Sequence, residues 1–441
     1  MPLLVNDFFC GTGGMGLGFI RAGYTVAKAW DFDTHAVKSY RENVDHSAEQ
    51  ADITHLTWKD VPKAHVWTFG FPCQDLSVAG HGEGIKVKCT SCAHEFIMSA
   101  ETESCPECNN GKFRAANRSG MLFEIMRLLE EIRENDPDKL PEVILAENVK
   151  KLRPLIPVLG NAFAIQGYVM QEPNLYNSKY WGVAQSRERY YVAGIRKDLP
   201  QEGFAYPVED TQRPIPKLAD FLDTDAPEKY YVSDEKARKV IDDALKRLET
   251  LGSTHAAITP DRMERRQNGP RAKADNDPMF TLTAQDLHGV IVDTRNTRNG
   301  RGVYSETTVP ALLSTDYKEP KSVIEQQPGI SVVGILDNQG TTQEHNNRVH
   351  DPEGISPTLT AVSGGTHHIK IFDYSRYRVR RLTPTEYGRL QGFPMDTWNQ
   401  VVSDSQAYKQ FGNAVTVGLA EAQAIAITDY LKNFTPAVIC K

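Results

Sequence analysis

The fold is decided by the stretch Leu3-Leu-Val-Asn-Asp-Phe-Phe9 and the turn that follows it, Cys10-Gly-Thr-Gly-Gly-Met-Gly16. The apolar run predicts a buried strand, and the glycines predict a tight turn that opens a helix. The spacing Gly11-x-Gly13-x-x-Gly16 brings backbone amides at a helix N-terminus close to a ligand. Apolar runs and helical patterns alternate to about residue 195, which predicts a doubly wound, Rossmann-like α/β domain.

The composition excludes several classes of protein. The chain has 441 residues, of which 40% are hydrophobic and 24% charged, as expected for a globular protein of two or three domains. It contains no run of about 18 uncharged apolar residues and starts without a signal-peptide pattern. We therefore expect a cytoplasmic protein without membrane contacts. A net charge of −7 argues against a sequence-blind coat on nucleic acid, but not against a localised binding cleft.

Changes in apolar periodicity and proline content divide the chain into three parts. Residues 1–196 carry the α/β pattern, and prolines after position 199 mark a linker. A smaller, mostly β module is predicted over residues 197–371, with a helix starting at Ser233. Within it, Thr281-Leu-Thr-Ala284 recurs as Thr358-Leu-Thr-Ala361, which predicts a repeated turn-and-strand unit. Residues 372–441 return to helical patterns and are expected to complete the first domain.

Several chemically capable residues follow predicted strands, where the ligand sites of α/β sheets lie. Asp31 suits a ribose diol and Asp52 an adenine amino group, although both could be ordinary surface carboxylates. Cys73 follows a rigid proline and leads into a glycine-bearing loop, as a mobile nucleophile would, whereas a lone cysteine is usually a small core residue. Glu147 ends an apolar strand, where a carboxyl group needs a partner or a function. The segment Gln185-Ser-Arg-Glu-Arg189 either brings two arginines to the same edge of the sheet or places them on the ordinary protein surface.

Four of the seven cysteines form the pattern Cys89-x2-Cys92-x12-Cys105-x2-Cys108. Two C-x-x-C pairs of this spacing suit tetrahedral Zn²⁺ with no open position, and therefore a structural site. We expect a zinc-ribbon insertion over residues 86–114. The alternative is a set of reduced loop cysteines or a redox pair.

The ordered combination of segments resembles the DNA cytosine-5 methyltransferase family. The matching segments are the glycine turn Phe9–Gly14, Pro72-Cys-Gln74, Glu147-Asn-Val149, Gln185–Arg189 and Gly412-Asn-Ala-Val415. The resemblance covers about residues 3–195 and 372–432. It implies a bacterial-type enzyme that transfers a methyl group from S-adenosylmethionine to cytosine in a specific duplex DNA sequence. It also implies a target-recognition role for residues 197–371 and protection of DNA in a restriction-modification system.

The same resemblance assigns the chemistry. Cys73 would add to carbon 6 of a flipped-out cytosine, so that carbon 5 becomes nucleophilic enough to accept a methyl group. Glu147 would contact ring nitrogen N3 and the exocyclic amine, Arg187 would hold the O2 carbonyl, and Arg189 would support the site.

The resemblance also implies two sets of binding residues. The expected cofactor-binding residues are Phe9, Gly11, Gly13, Gly14, Asp31, Phe32, Asp52, Ile53, Gly70, Pro72, Asn413 and Val415. The expected DNA-binding residues are Gln74, Ser77, Gln185, Thr358, Leu359, Arg378 and Arg380. Thr281-Leu282 competes with Thr358-Leu359 for the family's Thr-Leu pair, and the glycines after the latter favour it. The loop after Cys73 is expected to fill the gap left by the flipped base, so the ribbon inside it would set loop stiffness or touch the duplex.

The partners implied are double-stranded DNA and a possible cognate restriction endonuclease acting on the same site. We expect a nucleoid-associated monomer. Three other functions stay open from sequence: an RNA cytosine methyltransferase of the same family, a zinc-ribbon DNA-binding regulator on a decayed enzyme scaffold, and a nicotinamide oxidoreductase. The last explains the glycine turn but leaves Pro72-Cys-Gln74 without a role.

Overall fold

The structure is a computed structural model. It describes residues 2–71, 85–116, 121–231, 254–258, 288–292, 330, 332–335, 348–350, 352, 354–359, 368–373 and 378–433. The predicted helix at Ser233, the segment Thr281–Ala284 and the segment 72–84 with Cys73 lie outside these residues.

The strands and helices are numbered in chain order. The strands are β1 (Leu4–Phe8), β2 (Thr25–Asp31), β3 (Ala48–Gln50), β4 (Val66–Phe69), β5 (Ile85–Cys89), β6 (Glu95–Met98), β7 (Phe113–Ala115), β8 (Val143–Val149), β9 (Tyr168–Met170), β10 (Asn174–Asn177), β11 (Glu188–Arg196), β12 (Thr254–Ile258), β13 (His288–Val292), β14 (Val332–Ile335), β15 (Arg348–His350), β16 (Lys370–Asp373) and β17 (Arg378–Arg381). The helices are α1 (Gly14–Arg21), α2 (Thr34–Asn43), α3 (Leu122–Asn135), α4 (Ile156–Ile165), α5 (Pro384–Arg389), α6 (Asp404–Asn413) and α7 (Val417–Asn433).

One mixed sheet of eight strands forms the centre of the molecule. Its order is β10-β11-β8-β4-β1-β2-β3, and β9 also pairs with β11. The strands β3, β2, β1, β4 and β8 run parallel, so their carboxyl ends share one edge. Because β11 is antiparallel to β8, the beginning of β11 reaches that same edge. Ligands of open α/β sheets bind at this edge, and the predicted α/β fold is confirmed.

The two ends of the chain pack against each other. Helix α7 places Leu419 and Ala420 in the same apolar cluster as Met15 and Phe19 of α1. The contact is tight, since a Cβ on Gly18 would lie 2.5 Å from the Cβ of Ala420. The late segment therefore covers the first helix of the sheet.

Three smaller sheets lie outside the main one. Residues 85–116, here called the cysteine ribbon, form a three-stranded sheet in the order β6-β5-β7. Strands β14–β17 form a four-stranded sheet, and β12 pairs with β13. Among the described residues, no helix combines the length and apolar character needed to cross a bilayer.

Candidate functional site

The glycine turn follows β1 and presents open space at the edge of the sheet. Gly11 has a φ of +53°, and none of the described residues has an atom within 4 Å of where its Cβ would be, so these residues leave room for a ligand at its backbone. Gly14 is different, because a Cβ there would lie 2.3 Å from the carbonyl oxygen of Val415. Gly14 is therefore required for the close approach of the C-terminal segment, and its expected contact with the cofactor stays a prediction.

Two carboxylates stand beside this turn. Asp31 ends β2, and its side chain accepts hydrogen bonds from the backbone N–H groups of Gly11 and Asp33, both at 2.8 Å. Burial raises the pKa of Asp31. Asp52 accepts from the backbone N–H and the hydroxyl of Thr54, which shape the cofactor loop, defined here as residues 51–58, and lower the pKa of Asp52. These carboxylates have the chemistry to accept hydrogen bonds from a nucleoside.

Aromatic and apolar side chains complete this end of the site. Phe32 is 74% exposed beside Asp31, an unusual degree of exposure for a phenylalanine, and Ile53 is buried in the cofactor loop. Phe9 is half-buried with a positive φ of 57°. Asn413 ends α6 with an exposed side chain. An adenine ring could stack on such a surface.

Glu147 and Arg189 form an ion pair near the end of β8. Arg189 Nε lies 3.3 Å from Glu147 Oε1. The pairing of β8 with β11 accounts for this, because Arg189 lies opposite Val149, two residues from Glu147. Burial raises the pKa of Glu147, and the charges of Arg189 and Arg187 partly offset that shift. Glu147 is therefore a carboxyl group that holds a proton more readily than one in water.

The second oxygen of Glu147 faces the end of β4. A Cβ on Gly70 would lie 3.3 Å from Glu147 Oε2, so this glycine leaves the space that the carboxylate occupies. The neighbouring Asn148 donates a hydrogen bond of 3.1 Å to the carbonyl of Phe71. Phe71 stands two positions before Cys73 in the sequence. Cys73 itself, with Pro72, Gln74 and Ser77, lies outside the described residues.

Arg187 occupies a different place from the one expected. Its side chain is buried, and its guanidinium donates to the carbonyls of Leu359 (3.1 Å), Gly412 (3.2 Å) and Ala414 (3.0 Å). Burial lowers the pKa of Arg187 to about 9. The assignment of Arg187 to the O2 carbonyl of cytosine does not fit this geometry, because its hydrogen bonds tie three chain segments together. Arg189 is the arginine that lies beside Glu147.

Exchanging each arginine for methionine separates the two roles. We expect Arg187→Met to lower the free energy of unfolding by roughly 3 kcal/mol, because three buried carbonyls lose a charged donor. Arg189→Met is expected to cost less, roughly 1 to 2 kcal/mol, because the carboxyl of its single partner Glu147 can take up a proton, yet to slow the reaction at this site by about 10²-fold. Denaturant titration and single-turnover assays on both variants measure these effects. Equal destabilisation by the two changes would refute the distinction.

Three residues expected to contact DNA are internal. Gln185 is fully buried, donating to the carbonyl of Leu390 at 2.8 Å and accepting from the backbone N–H of Leu359 at 3.0 Å. Leu359 is buried in the apolar core of this region. Arg380 is buried and bonds both oxygens of Glu386, at 2.8 and 2.9 Å. The geometry does not fit the expected DNA contacts of these side chains, because Gln185 and Arg380 are bonded inside the protein and Leu359 is packed in the core.

Of the remaining DNA-contact predictions, only Thr358 has a described side chain. Its hydroxyl donates to the carbonyl of Ser186 at 2.7 Å, which fixes the Thr-Leu pair against the segment before β11. Arg378 begins β17.

The four cysteines of the ribbon converge on one point. Their sulfur atoms all lie within 4.8 Å of one another, with Cys89 and Cys108 at 3.5 Å and Cys92 and Cys105 at 3.6 Å. Four thiolates about 2.3 Å from a tetrahedral Zn²⁺ would stand about 3.8 Å apart. The donor set and its spacing therefore fit zinc.

The backbone around the cysteines repeats the same turn twice. Ala93 and Asn109, each directly after the second cysteine of a pair, have φ values of 62° and 57°. Each donates its backbone N–H to the carbonyl of the pair's first cysteine, at 3.1 Å for Ala93 and 2.9 Å for Asn109. A left-handed residue at both equivalent positions shows that the two cysteine pairs lie in matching turns.

Sequence reasoning missed two contributors to the site. Asn148 was quoted only as part of a motif, although it holds Phe71 next to Glu147. Arg127 belongs to an amphipathic helix and has no place among the predicted site residues. It is nevertheless buried and donates to the carbonyls of Ile53 and Leu56 in the cofactor loop. A charged residue on the apolar face of a helix was the available signal.

The sheet, glycine turn and edge carboxylates define an α/β enzyme with a nucleoside-type cofactor site. The family described as C-5 cytosine-specific DNA methylase matches residues 3–102 and 109–429, and the chain belongs to this family of DNA methyltransferases.

Two relatives and one solved structure place the chain further. It is 28% identical over 470 residues to the orphan methyltransferase M.SPBetaI of Bacillus phage SPbeta, covering 95% of this chain and 96% of that protein. It is 25% identical over 440 residues to the type II methyltransferase M.HpaII of Haemophilus parainfluenzae, covering 97% and 89%. The crystal structure of the S. pombe Dnmt2 methyltransferase shares the fold, with a TM-score of 0.54, 15% identity and coverage of 98% and 99%.

Proposed function

We propose that the chain transfers a methyl group from S-adenosylmethionine to carbon 5 of a flipped-out cytosine in a specific duplex DNA sequence. The observation that carries the proposal is the buried Glu147–Arg189 pair, which stands beside Gly70 at the end of the strand that leads to Cys73. It supplies a carboxyl group and a cation at one edge, where a pyrimidine offers a ring nitrogen, an amine and a carbonyl.

The glycine turn and its neighbours would hold the cofactor. Gly11 leaves space for the methionine portion, Asp31 would bind the ribose, and Asp52 with Ile53 would face the adenine. Phe9 and Phe32 offer aromatic faces. S-adenosylmethionine supplies an electrophilic methyl group carried on a sulfonium. The remaining proposed contacts are those of Gly13, Gly70, Pro72, Asn413 and Val415.

The catalytic steps follow from the residues around the base. The thiolate of Cys73 adds to carbon 6, and the electrons of the 5,6 double bond move toward carbon 5. Glu147 shares its proton with N3 as charge develops on the ring, and Arg189 stabilises the O2 oxygen. Carbon 5 would take the methyl group as the bond between that methyl and the sulfonium sulfur breaks, which leaves S-adenosylhomocysteine. Loss of the carbon-5 proton to a base would then expel the Cys73 thiolate and restore the 5,6 double bond. Arg187 holds together the chain segments around the site through its hydrogen bonds to the carbonyls of Leu359, Gly412 and Ala414.

Duplex DNA is the proposed substrate, and reaching its cytosine requires base flipping, which costs a few kcal/mol. We assign residues 1–196 and 372–441 to the catalytic domain and residues 197–371 to target recognition. The hydrogen bonds that join Ser356 to Ala184 (2.7 Å) and to Ser186 (3.0 Å) support this arrangement, because they seat the Thr358 segment directly before the catalytic strand β11. Gln74 and Ser77 stay proposed DNA contacts.

Zinc is the proposed metal of the cysteine ribbon. Cys89, Cys92, Cys105 and Cys108 would bind it with no open position, so that it supplies stability and no chemistry. The match to the family interrupts at residues 103–108, which hold the second cysteine pair. This supports an insertion specific to part of the family.

The proposed cellular role is protection of DNA in a restriction-modification system. The deciding experiment is expression in a host without cytosine methylation, followed by base-resolution sequencing of 5-methylcytosine, with Cys73→Ser as the control. We expect methylation confined to one short motif and absent from the control, together with resistance of that DNA to a nuclease cutting the same motif. An unmethylated genome alongside methylated tRNA would instead establish the RNA enzyme.

A further inference from the structure

The cysteine ribbon is fastened to the catalytic core. Val87, Met98 and Phe113 of the ribbon belong to the same apolar cluster as the buried faces of α3 and α4. Asn161 of α4 donates to the carbonyls of Ser99 (3.3 Å) and Thr102 (2.8 Å) in the ribbon. The ribbon is therefore packed as part of the core, so its four cysteines are held in a fixed position relative to α3 and α4.

Charge argues against the ribbon as a DNA-binding surface. Residues 85–116 carry four basic residues, Lys86, Lys88, Lys112 and Arg114, and four acidic ones, Glu95, Glu101, Glu103 and Glu107. Two of the lysines are already paired, Lys86 with Glu95 at 2.7 Å and Lys112 with Glu134 at 2.6 Å. A phosphate-binding surface needs an excess of free cations. The ribbon has none, which leaves its inner side, the side packed against α3 and α4, as the functional one.

The inner side of the ribbon begins a chain of buried hydrogen bonds. Ala115 of β7 donates its backbone N–H to Glu124 Oε1 at 3.0 Å. The other oxygen of Glu124 accepts from Arg127 Nε at 2.8 Å. Both side chains are buried, at 2% and 6% exposure. Displacing one partner of such a buried ion pair is strongly destabilising, because it leaves the other charge buried without compensation.

The same guanidinium holds the cofactor loop. Arg127 Nη2 donates to the carbonyls of Ile53 at 3.0 Å and Leu56 at 2.9 Å. Its Nη1 donates to Glu131, which in turn accepts from the backbone N–H of Trp58 at 3.2 Å. Three backbone groups of the loop that carries Asp52 thus depend on one arginine and its partner.

The metal site fixes the start of this chain. Ala115 pairs with Val87 of β5, two residues before the ligand Cys89, and Phe113 lies opposite Cys89. Cys108 belongs to the turn that leads into β7. A metal bound by Cys89 and Cys108 would therefore join the end of β5 to the approach to β7, and would set the position of the Ala115 amide.

We propose that Glu124 and Arg127 are positioning residues for the cofactor, and that through them zinc at the ribbon and S-adenosylmethionine at the glycine turn favour each other's binding. The inference rests on the proposed function, which supplies both ligands. By linkage, each ligand must raise the affinity for the other by the same factor. We expect a factor of about ten, which lies within the range common for coupled sites.

The test uses the full chain and measures both directions of the effect. The zinc content of the purified protein is determined first, and one ion per chain is expected. The dissociation constant of S-adenosylmethionine is then measured by calorimetry with and without zinc, while circular dichroism monitors folding. In the reverse direction, zinc affinity is measured by competition with a chelator, with and without saturating S-adenosylmethionine.

Variants of helix α3 assign the effect. Arg127→Met is expected to raise the KM for S-adenosylmethionine by about tenfold, with kcat within about twofold, and to abolish the mutual effect. Arg127→Lys would restore part of it, since lysine still reaches the carbonyls. Arg133→Met is the matched control, because Arg133 ties α3 to Gln166 at 2.8 Å and does not touch the cofactor loop.

The outcomes are distinguishable. A chain that carries zinc and binds S-adenosylmethionine with no mutual effect would overturn this inference and leave the proposed function intact. Coupling that persists in Arg127→Met would also overturn it. A chain that takes up no zinc would contradict both this inference and the proposed metal.

Discussion

Cys73→Ser is expected to abolish methyl transfer, while the binding of duplex DNA and S-adenosylmethionine is expected to stay within about threefold of the parent chain. The expected loss of rate is about 10³-fold or more, because a thiol with a pKa near 8.5 ionises far more readily than a serine hydroxyl. The reaction cannot begin without an anionic nucleophile at carbon 6. Transfer of labelled methyl groups to DNA, measured in a single turnover, gives the rate.

The matched control for this variant is Cys440→Ser, which removes another thiol from the chain and is expected to keep full activity. A covalent trap sharpens the result. Duplex DNA with fluorine in place of the hydrogen on carbon 5 can be attacked and methylated but cannot lose a proton there, so the parent chain stays bonded to it. A stable adduct with the Cys73→Ser chain would show that another residue is the nucleophile.

Glu147→Gln is expected to slow the chemical step by about 10²- to 10³-fold. The amide keeps the size of the side chain but has no acidic proton to share with N3 as charge develops on the ring. Because burial raises the pKa of Glu147, the native carboxyl is well suited to that exchange. Stopped single-turnover reactions would measure the step, and the fluorinated duplex would show slower formation of the adduct.

Glu188→Gln is the control for the loss of a carboxylate from the same region. Glu188 starts β11 next to Arg189, but its side chain is partly exposed and pairs with Lys150 at 2.8 Å. Its removal is expected to change the rate by less than about twofold, since exposed ion pairs contribute little. Equal effects of the two changes would refute a specific role for Glu147.

The elements of the sheet and the main helices were predictable from the sequence because their signals are local. The spacing of apolar residues in the sequence predicts a helix from Met121 to Arg133, where α3 spans Leu122–Asn135. It also predicts a helix from Leu155 to Gln166, where α4 spans Ile156–Ile165. Glu147 was predictable for a related reason. An acidic residue at the end of an apolar strand has few places to lie except the carboxyl edge of a sheet.

The contacts that assemble the site were not predictable, because their partners are distant backbone groups. Arg187 bonds the carbonyl of Leu359, 172 positions away, and a carbonyl carries no mark in the sequence. Arg380 stands near other arginines in the sequence and was expected to contact DNA, yet it pairs with Glu386 in the first turn of α5. Sequence identifies a charged side chain, and only the fold decides whether its partner is inside the protein.

The packing of α7 on α1 has a consequence for the synthesis of the chain. Helix α1 ends at Arg21, and its partner α7 begins at Val417, so the first helix leaves the ribosome long before the surface that covers it exists. At a synthesis rate of about 5 to 20 residues per second the delay is roughly 20 to 80 seconds. During that interval Met15 and Phe19 lack the apolar surface of α7 that buries them in the folded protein. The methylating site, too, is completed only when the last helices arrive, so a half-made chain cannot mark DNA.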